Sequence, residues 1–303
     1  MVREEVSFGA AGQRRAAWFY RPETTGTTET AEAVPGVVMA HGFGAVRALG
    51  LDRYARRFAA AGFAVLVFDY LGFGDSEGFP RQVLDIDAQL RDWSAAVDDL
   101  RGRPGVDPDR VALWGSSFSG GHVVSLAARD ARVAAVVSQV PYLGLVRKRA
   151  LPQPRLVKLV LKALADRVAG ARSPVLVPAI GEPGSGALLS MPAAEARFRS
   201  LLEPGAQWRN AVAARIILRL PGYRPGTVAG EIACPVLFCA CEDDDITPRS
   251  LIVAAAGAAP RGRLVTYPGE HFGIYQGEVF ERAVRDQTRF LTEHLTRGPR
   301  PRP

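Results

Sequence analysis

Six short, nearly unbroken apolar runs, spaced by segments whose apolar residues fall three and four apart, limit the architectures open to these 303 residues more than any other feature. The runs are "GVVMA" (Gly36 to Ala40), "FAVLVFDY" (Phe63 to Tyr70), "RVALWG" (Arg110 to Gly115), "VAAVVSQV" (Val133 to Val140), "CPVLFCAC" (Cys234 to Cys241) and "RLVTY" (Arg263 to Tyr267). Strands covered on both faces read this way, because neither face meets water. The segments 51–62, 85–102, 119–130, 248–259 and 277–295 have the period of helices with one buried stripe. The alternation predicts an α/β fold, a doubly wound and mostly parallel sheet. "EEVSFGAAG" and "RRAAWFYRP" add an antiparallel entry hairpin, bringing the sheet to about eight strands. "ETTGTTETAEAVPG" between hairpin and first parallel strand reads as a polar surface loop.

The rhythm stops after the fourth parallel strand. Ten of the 22 prolines fall between Pro141 and Pro225, and strand-helix alternation resumes only at Cys234, so residues 142–225 are expected to be an insertion over the sheet rather than a second core. Residues 1–141 and 226–303 then form one core, and 142–225 a mainly helical cap or lid. Within the insertion Leu156, Val160, Leu164 and Val168 recur every four residues, which predicts an amphipathic helix with that stripe buried against the mouth of the site.

Several classes are set aside. Cys234, Cys239 and Cys241 lack paired metal-ligand spacing and read as buried strand residues, so no metal is expected. The net charge of +7 comes from scattered arginines; the concentrations "RKR" (Arg147 to Arg149) and "RGPRPRP" have no interleaved aromatic residues, so no nucleic-acid partner is expected. "GFGDSEG" (Gly72 to Gly78) has no P-loop lysine and no dinucleotide-binding spacing, so no nucleotide or other cofactor is expected either. Neither an apolar membrane span nor a secretory leader is visible, and a cytoplasmic protein with no membrane partner is expected.

Chemistry concentrates where the third parallel strand runs into "GSSFSGG". A strand-to-helix corner that exposes a side chain at its tip needs very small residues two before and two or three after that tip. With Ser117 as the tip, Gly115, Ser119 and Gly120 fill those places; with Ser116, the bulky Trp114 would, and Ser119 lies well past the strand. Ser117 is therefore the candidate nucleophile. A serine hydroxyl needs a base to take its proton, and the base needs an orienting acid. Of four histidines, His41 ends the first parallel strand and reads as holding its turn, while His122 and His294 lie in helices. His271 alone sits in a loop after the last strand, and "EDDDITP" after the penultimate strand supplies the acid: Asp244, with Asp243 and Asp245 as neighbouring alternatives. The glycines of "AHGFGAVR" let the chain turn closely enough for the Phe43 N–H to join that of Phe118 as an oxyanion hole.

The pieces "HGFG", "FDYLGFGDSEG", "WGSSFSGG", "EDDDITP" and "GEHFGIY", in this order over nearly the whole chain, resemble serine hydrolases of the α/β-hydrolase superfamily. The likeness is to bacterial esterase-like members grouped with dienelactone hydrolases and acetyl-xylan esterases. The resemblance implies a Ser117, Asp244, His271 triad, an oxyanion hole from Phe43 and Phe118, and a specificity-setting cap. Two positions depart from the pattern, Ser119 where the elbow glycine is usual and Leu71 where relatives often carry a basic residue. The implied activity is hydrolysis of a small or medium-sized, fairly apolar carboxylic ester, lactone or thioester through an acyl-enzyme, within a partly enclosed apolar pocket. An acyltransferase, thioesterase or lyase would use the same triad, and a noncatalytic ligand-binding relative is the rival from another class.

Overall fold

The entry hairpin is β1 (Val2–Ala10) and β2 (Gln13–Arg21), joined through Ala11 and Gly12, both at positive φ as a tight turn between right-twisted strands requires. The computed structural model describes residues 2–22, 32–145, 153–170 and 173–296. The alternation follows in chain order: β3 (Val34–Ala40), α1 (Leu51–Ala60), β4 (Ala64–Phe68), α2 (Ile86–Arg101), β5 (Val106–Ser116), α3 (Phe118–Ala127) and β6 (Val136–Gln139). Then come α4 (Gln153–Ala169), the two-residue strands β7 (Leu176–Val177), β8 (Ile180–Gly181) and β9 (Leu189–Ser190), α5 (Ala194–Arg199) and β10 (Val212–Ala213). The chain returns to the sheet with β11 (Val236–Cys241), α6 (Arg249–Ala258), β12 (Gly262–Tyr267) and α7 (Gly277–Leu295).

Eight strands form one sheet in the order β1-β2-β4-β3-β5-β6-β11-β12, parallel from β4 to β12 with the hairpin antiparallel on one edge. Alternate side chains explain the unbroken apolar runs. Val38, Leu66, Leu113, Val136 and Phe238 pack beneath α2, α3 and α6, while Val37, Met39, Val65, Trp114 and Leu237 pack beneath α1 and α7. β3 and β5 are neighbours, but the chain leaves β3 toward β4 on one side and continues from β5 to β6 on the other. The connections therefore diverge beyond the carboxyl ends of β3 and β5, the crevice where open α/β sheets bind ligands.

The segment between β6 and β11 contains α4, α5, 3-10 turns and two miniature ladders, β7 with β10 antiparallel and β8 with β9 parallel. The expected stripe on α4 is corrected: Leu156, Leu164 and Val168 are exposed (Val168 by 88%), and Val160 is half-buried. The buried residues are Leu159, Ala163 and Asp166. A strict four-residue repeat drifts by about 40° per step around a 3.6-residue helix, so it cannot stay on one contact face. The face that is buried packs against the turn Ala214–Leu218, where Asp166 accepts from the Arg215 guanidinium at 2.7 and 2.8 Å and from the Arg215 N–H at 2.7 Å. "RKR", the C-terminal "RGPRPRP" and most of the loop from Glu23 lie outside the described residues, while Val34–Gly36, assigned to that loop by sequence, belong to β3.

Candidate active site

Ser117 stands between β5 and α3 with φ 57° and ψ −117°, a conformation that L-residues adopt only when their surroundings enforce it. The enforcement is visible. The Ser117 N–H donates to the Gln139 carbonyl (2.8 Å), and its own carbonyl accepts from the Tyr142 N–H (2.8 Å), so the end of β6 grips both sides of the residue. A Cβ on Gly115 would lie 2.2 Å from the Ser119 carbonyl oxygen, one on Gly120 2.8 Å from Pro141, and one on Gly121 2.2 Å from the Tyr142 carbonyl oxygen. Gly115→Ala should therefore destabilise the protein by at least about 2 kcal/mol, read from urea unfolding; wild-type stability would contradict this packing.

The three serines separate cleanly. Ser116 and Ser119 are wholly buried and Ser117 is partly exposed. Ser116 Oγ is bonded to the Tyr275 hydroxyl and to Gln139 Nε2 on the far side of the corner. Ser119 Oγ donates to the His41 carbonyl and accepts from the Tyr70 hydroxyl, which in turn accepts from Trp93 Nε1 (2.8 Å). This explains how serine occupies a glycine position: its hydroxyl ties the elbow helix to the end of β3. Nothing in the sequence marks Tyr70 or Trp93 as part of that tie.

His271, after β12, and Asp244, after β11, reach the same point from strands on the far side of β6. His271 Nε2 lies 3.1 Å from Ser117 Oγ, and His271 Nδ1 lies 2.7 Å from Asp244 Oδ2. With Nδ1–H donating to the carboxylate, Nε2 presents its lone pair to the serine hydroxyl. Asp243 and Asp245 are exposed, whereas the Asp244 side chain is fully buried and also accepts from the N–H groups of Ile246 (2.8 Å) and Thr247 (2.7 Å) and from Thr247 Oγ1 (2.7 Å). Burial alone would raise its carboxyl; the adjacent imidazole and these hydrogen bonds outweigh burial and hold it below the usual range.

The loop after β3 brings Phe43 to the same corner. A Cβ on Gly42 would lie 2.9 Å from Ser117 Cβ and 3.4 Å from Ser117 Oγ, so the backbone there touches the serine directly. The Gly42 carbonyl accepts from His41 Nδ1 (3.0 Å) and the Ala45 N–H (3.3 Å). Because a peptide unit is planar, fixing that carbonyl also fixes the direction of the Phe43 N–H. Farther along, the Arg47 N–H (2.7 Å) and guanidinium bind buried Asp69. Phe118, whose ring meets that of Phe43 edge-on at 5.5 Å, is the first residue of α3, where the N–H has no intrahelical acceptor.

His122 meets the Phe118 ring edge-on at 4.8 Å, but its hydrogen bonds go to neither Ser117 nor Asp244. It donates from Nε2 to Gln89 Oε1 (2.9 Å) and accepts at Nδ1 from the Tyr223 hydroxyl (2.6 Å). Burial, with a smaller contribution from His41, pushes it down to about 3, and burial lowers His41 as well. The unfolded chain takes up a proton near pH 6.5 and the folded one does not until about 3, so stability falls as pH drops through that window, by a little over 1 kcal/mol per unit. His122→Gln should flatten this fall between pH 7 and 5 in urea melts; an unchanged slope would contradict it. His294 packs on Phe290 within α7. All three cysteines are buried, and burial pushes the Cys239 and Cys241 thiols up to about 12.

Two charged clefts, one of about 730 Å³ between α2 and α3 and one of about 670 Å³ beside α7, include none of Ser117, Asp244 and His271. Among the described residues, no helix is long and apolar enough to cross a membrane.

Comparison with known proteins bears on the family and the fold. A family model described as the alpha/beta hydrolase family matches residues 37–283. The quorum-quenching protein AidA of Acinetobacter baumannii is 44% identical over 291 residues, covering 95% of this chain and 93% of that protein. The thiohydrolase aneE of Aspergillus aculeatus is 29% identical, covering 86% of each chain. Among solved structures, DcsB in complex with its substrate analogue superposes with a TM-score of 0.82 at 25% identity, covering 97% of this chain and 100% of that one. On the sheet order, the serine corner and this match over most of its length, the chain belongs to the alpha/beta hydrolase family.

Proposed function

We propose that the protein is a serine hydrolase acting on a small or medium-sized, fairly apolar ester, lactone or thioester. The observation that carries this reading is the hydrogen-bonded line from Ser117 Oγ through His271 to Asp244, at 3.1 and 2.7 Å. Ser117 attacks the acyl carbon while His271 Nε2 takes its proton; Asp244 holds the imidazole in the right tautomer and stabilises the cation that forms. The N–H groups of Phe43 and Phe118 receive the oxyanion, which sharpens as the tetrahedral intermediate forms. His271 then gives its proton to the leaving oxygen or sulfur, and water, activated by the same imidazole, releases the acid. Residues 142–225 serve as the cap. An aromatic cluster formed by Phe43, Phe118, Tyr142 and Tyr223, with rings 5.3 to 6.1 Å apart, supports an apolar acyl group. Similarity to a thiohydrolase supports including thioesters among the candidate substrates.

The test is a panel of esters, lactones and thioesters run against wild type and Ser117→Ala. Turnover of small acyl substrates by wild type alone is expected; activity confined to acetylated xylan, or equal in both proteins, would overturn the reading.

A further inference from the structure

The cap residue Trp208 reaches across to the loop that carries Phe43. Its indole Nε1–H donates to the Gly44 carbonyl at 2.8 Å. Gly44 has φ +60°, and a Cβ there would lie 3.0 Å from both Ala179 Cβ and Val212 Cγ1, so cap residues press directly on its backbone. The same cap adds a short bridge to this loop, with Leu49 paired to Leu202 and the Glu203 N–H donating to the Ala48 carbonyl at 3.0 Å. On its other side the Trp208 ring packs against Phe198 of α5 at 4.4 Å. Phe198 meets Phe272 edge-on at 5.8 Å, and Phe272 meets the His271 imidazole edge-on at 5.3 Å. Arg197 of α5 pairs with Glu270, the residue before His271. One run of contacts thus joins the Phe43 loop to the His271 loop above the sheet, while His41 and Asp69 hold the Phe43 loop from below.

We propose that Trp208 is a positioning residue: its N–H holds the Gly44 carbonyl and thereby sets the Phe43 N–H against Ser117, while its ring, through Phe198 and Phe272, backs His271. The cap then helps build the catalytic geometry as well as admitting substrate. This rests on the serine-hydrolase reading above. Hydrogen bonds to a developing oxyanion depend steeply on donor placement, and small misplacements lose large factors in rate. Binding of the ground-state acyl compound does not use that donor, so the loss should appear in kcat rather than KM.

The experiment measures the second-order rate of labelling by a fluorophosphonate, whose phosphoryl oxygen occupies the oxyanion position, together with kcat and KM on p-nitrophenyl butyrate and the melting temperature. Trp208→Phe keeps an aromatic ring but removes the donor. Site-specific replacement of Trp208 by β-(3-benzothienyl)alanine keeps the indole shape with sulfur in place of N–H, and covers the case in which Trp208→Phe folds poorly. Both changes are expected to slow labelling and kcat by about 10- to 100-fold with KM within about twofold. The shape of the pH–rate profile should be unchanged, because the His271–Asp244 pair is intact. Labelling of either folded variant at the wild-type rate, or a change confined to KM, would overturn the role of Trp208 and leave the hydrolase reading standing. A wild-type protein that is not labelled at Ser117 would overturn both.

Discussion

Ser117→Ala should lower hydrolysis of short p-nitrophenyl esters at least roughly 10⁴-fold, leaving only what binding and the oxyanion donors supply. The substitution removes one oxygen from a partly exposed residue and no packing group, and alanine must still adopt φ 57°, so a modest loss of stability at most should accompany it. Ser116→Ala and Ser119→Ala make the contrast. Their hydroxyls are buried and bonded to Tyr275, Gln139, Tyr70 and the His41 carbonyl, none of which takes part in proton transfer from Ser117. Each should keep turnover within about tenfold of wild type while lowering stability by about 1 kcal/mol for a lost buried hydrogen bond. An inactive Ser119→Ala beside an active Ser117→Ala would move the nucleophile and undo the mechanism.

Asp244→Asn and His271→Ala should each cost roughly 10³- to 10⁴-fold, because the three residues act as one unit. Asparagine keeps an oxygen for the Ile246 and Thr247 donors, so the turn should survive. Its amide N–H, however, faces His271 Nδ1 and favours the tautomer whose Nε2 is already protonated and cannot accept from Ser117. Asp243→Asn and Asp245→Asn, altering exposed side chains, should leave the rate within about twofold. Equal losses in all three aspartate variants would count against a unique acid.

The strands, the hairpin, the flanking helices and the meeting of Ser117, Asp244 and His271 all follow from patterns that local chemistry writes into a sequence. A buried parallel strand has to be apolar on both faces, so its end can be located, and groups at successive strand ends share the carboxyl edge. Asp243, Asp244 and Asp245 are equivalent by sequence pattern, and which carboxylate turns inward depends on Thr247 and His271, distant or unremarkable in sequence. Ser119 departs from a glycine pattern, and the Tyr70 hydroxyl and His41 carbonyl account for its own hydroxyl. Between β6 and β11 the pattern and the packing diverge. Leu156, Val160, Leu164 and Val168 are as apolar as a core stripe, yet the helix buries Leu159, Ala163 and Asp166, since its partner is a 3-10 turn carrying Arg215. Trp208 lies in irregular chain with no periodicity around it, so its reach to Gly44 depends wholly on tertiary packing.

Mapping a fluorophosphonate adduct by peptide mass spectrometry tests the mechanism most directly. One adduct per chain is expected, on Ser117, absent from Ser117→Ala and formed at least roughly 10²-fold more slowly in His271→Ala, whose serine has lost its base. An adduct on another residue, undiminished labelling of Ser117→Ala, or a wild-type protein inert to the probe would contradict a serine nucleophile activated by His271.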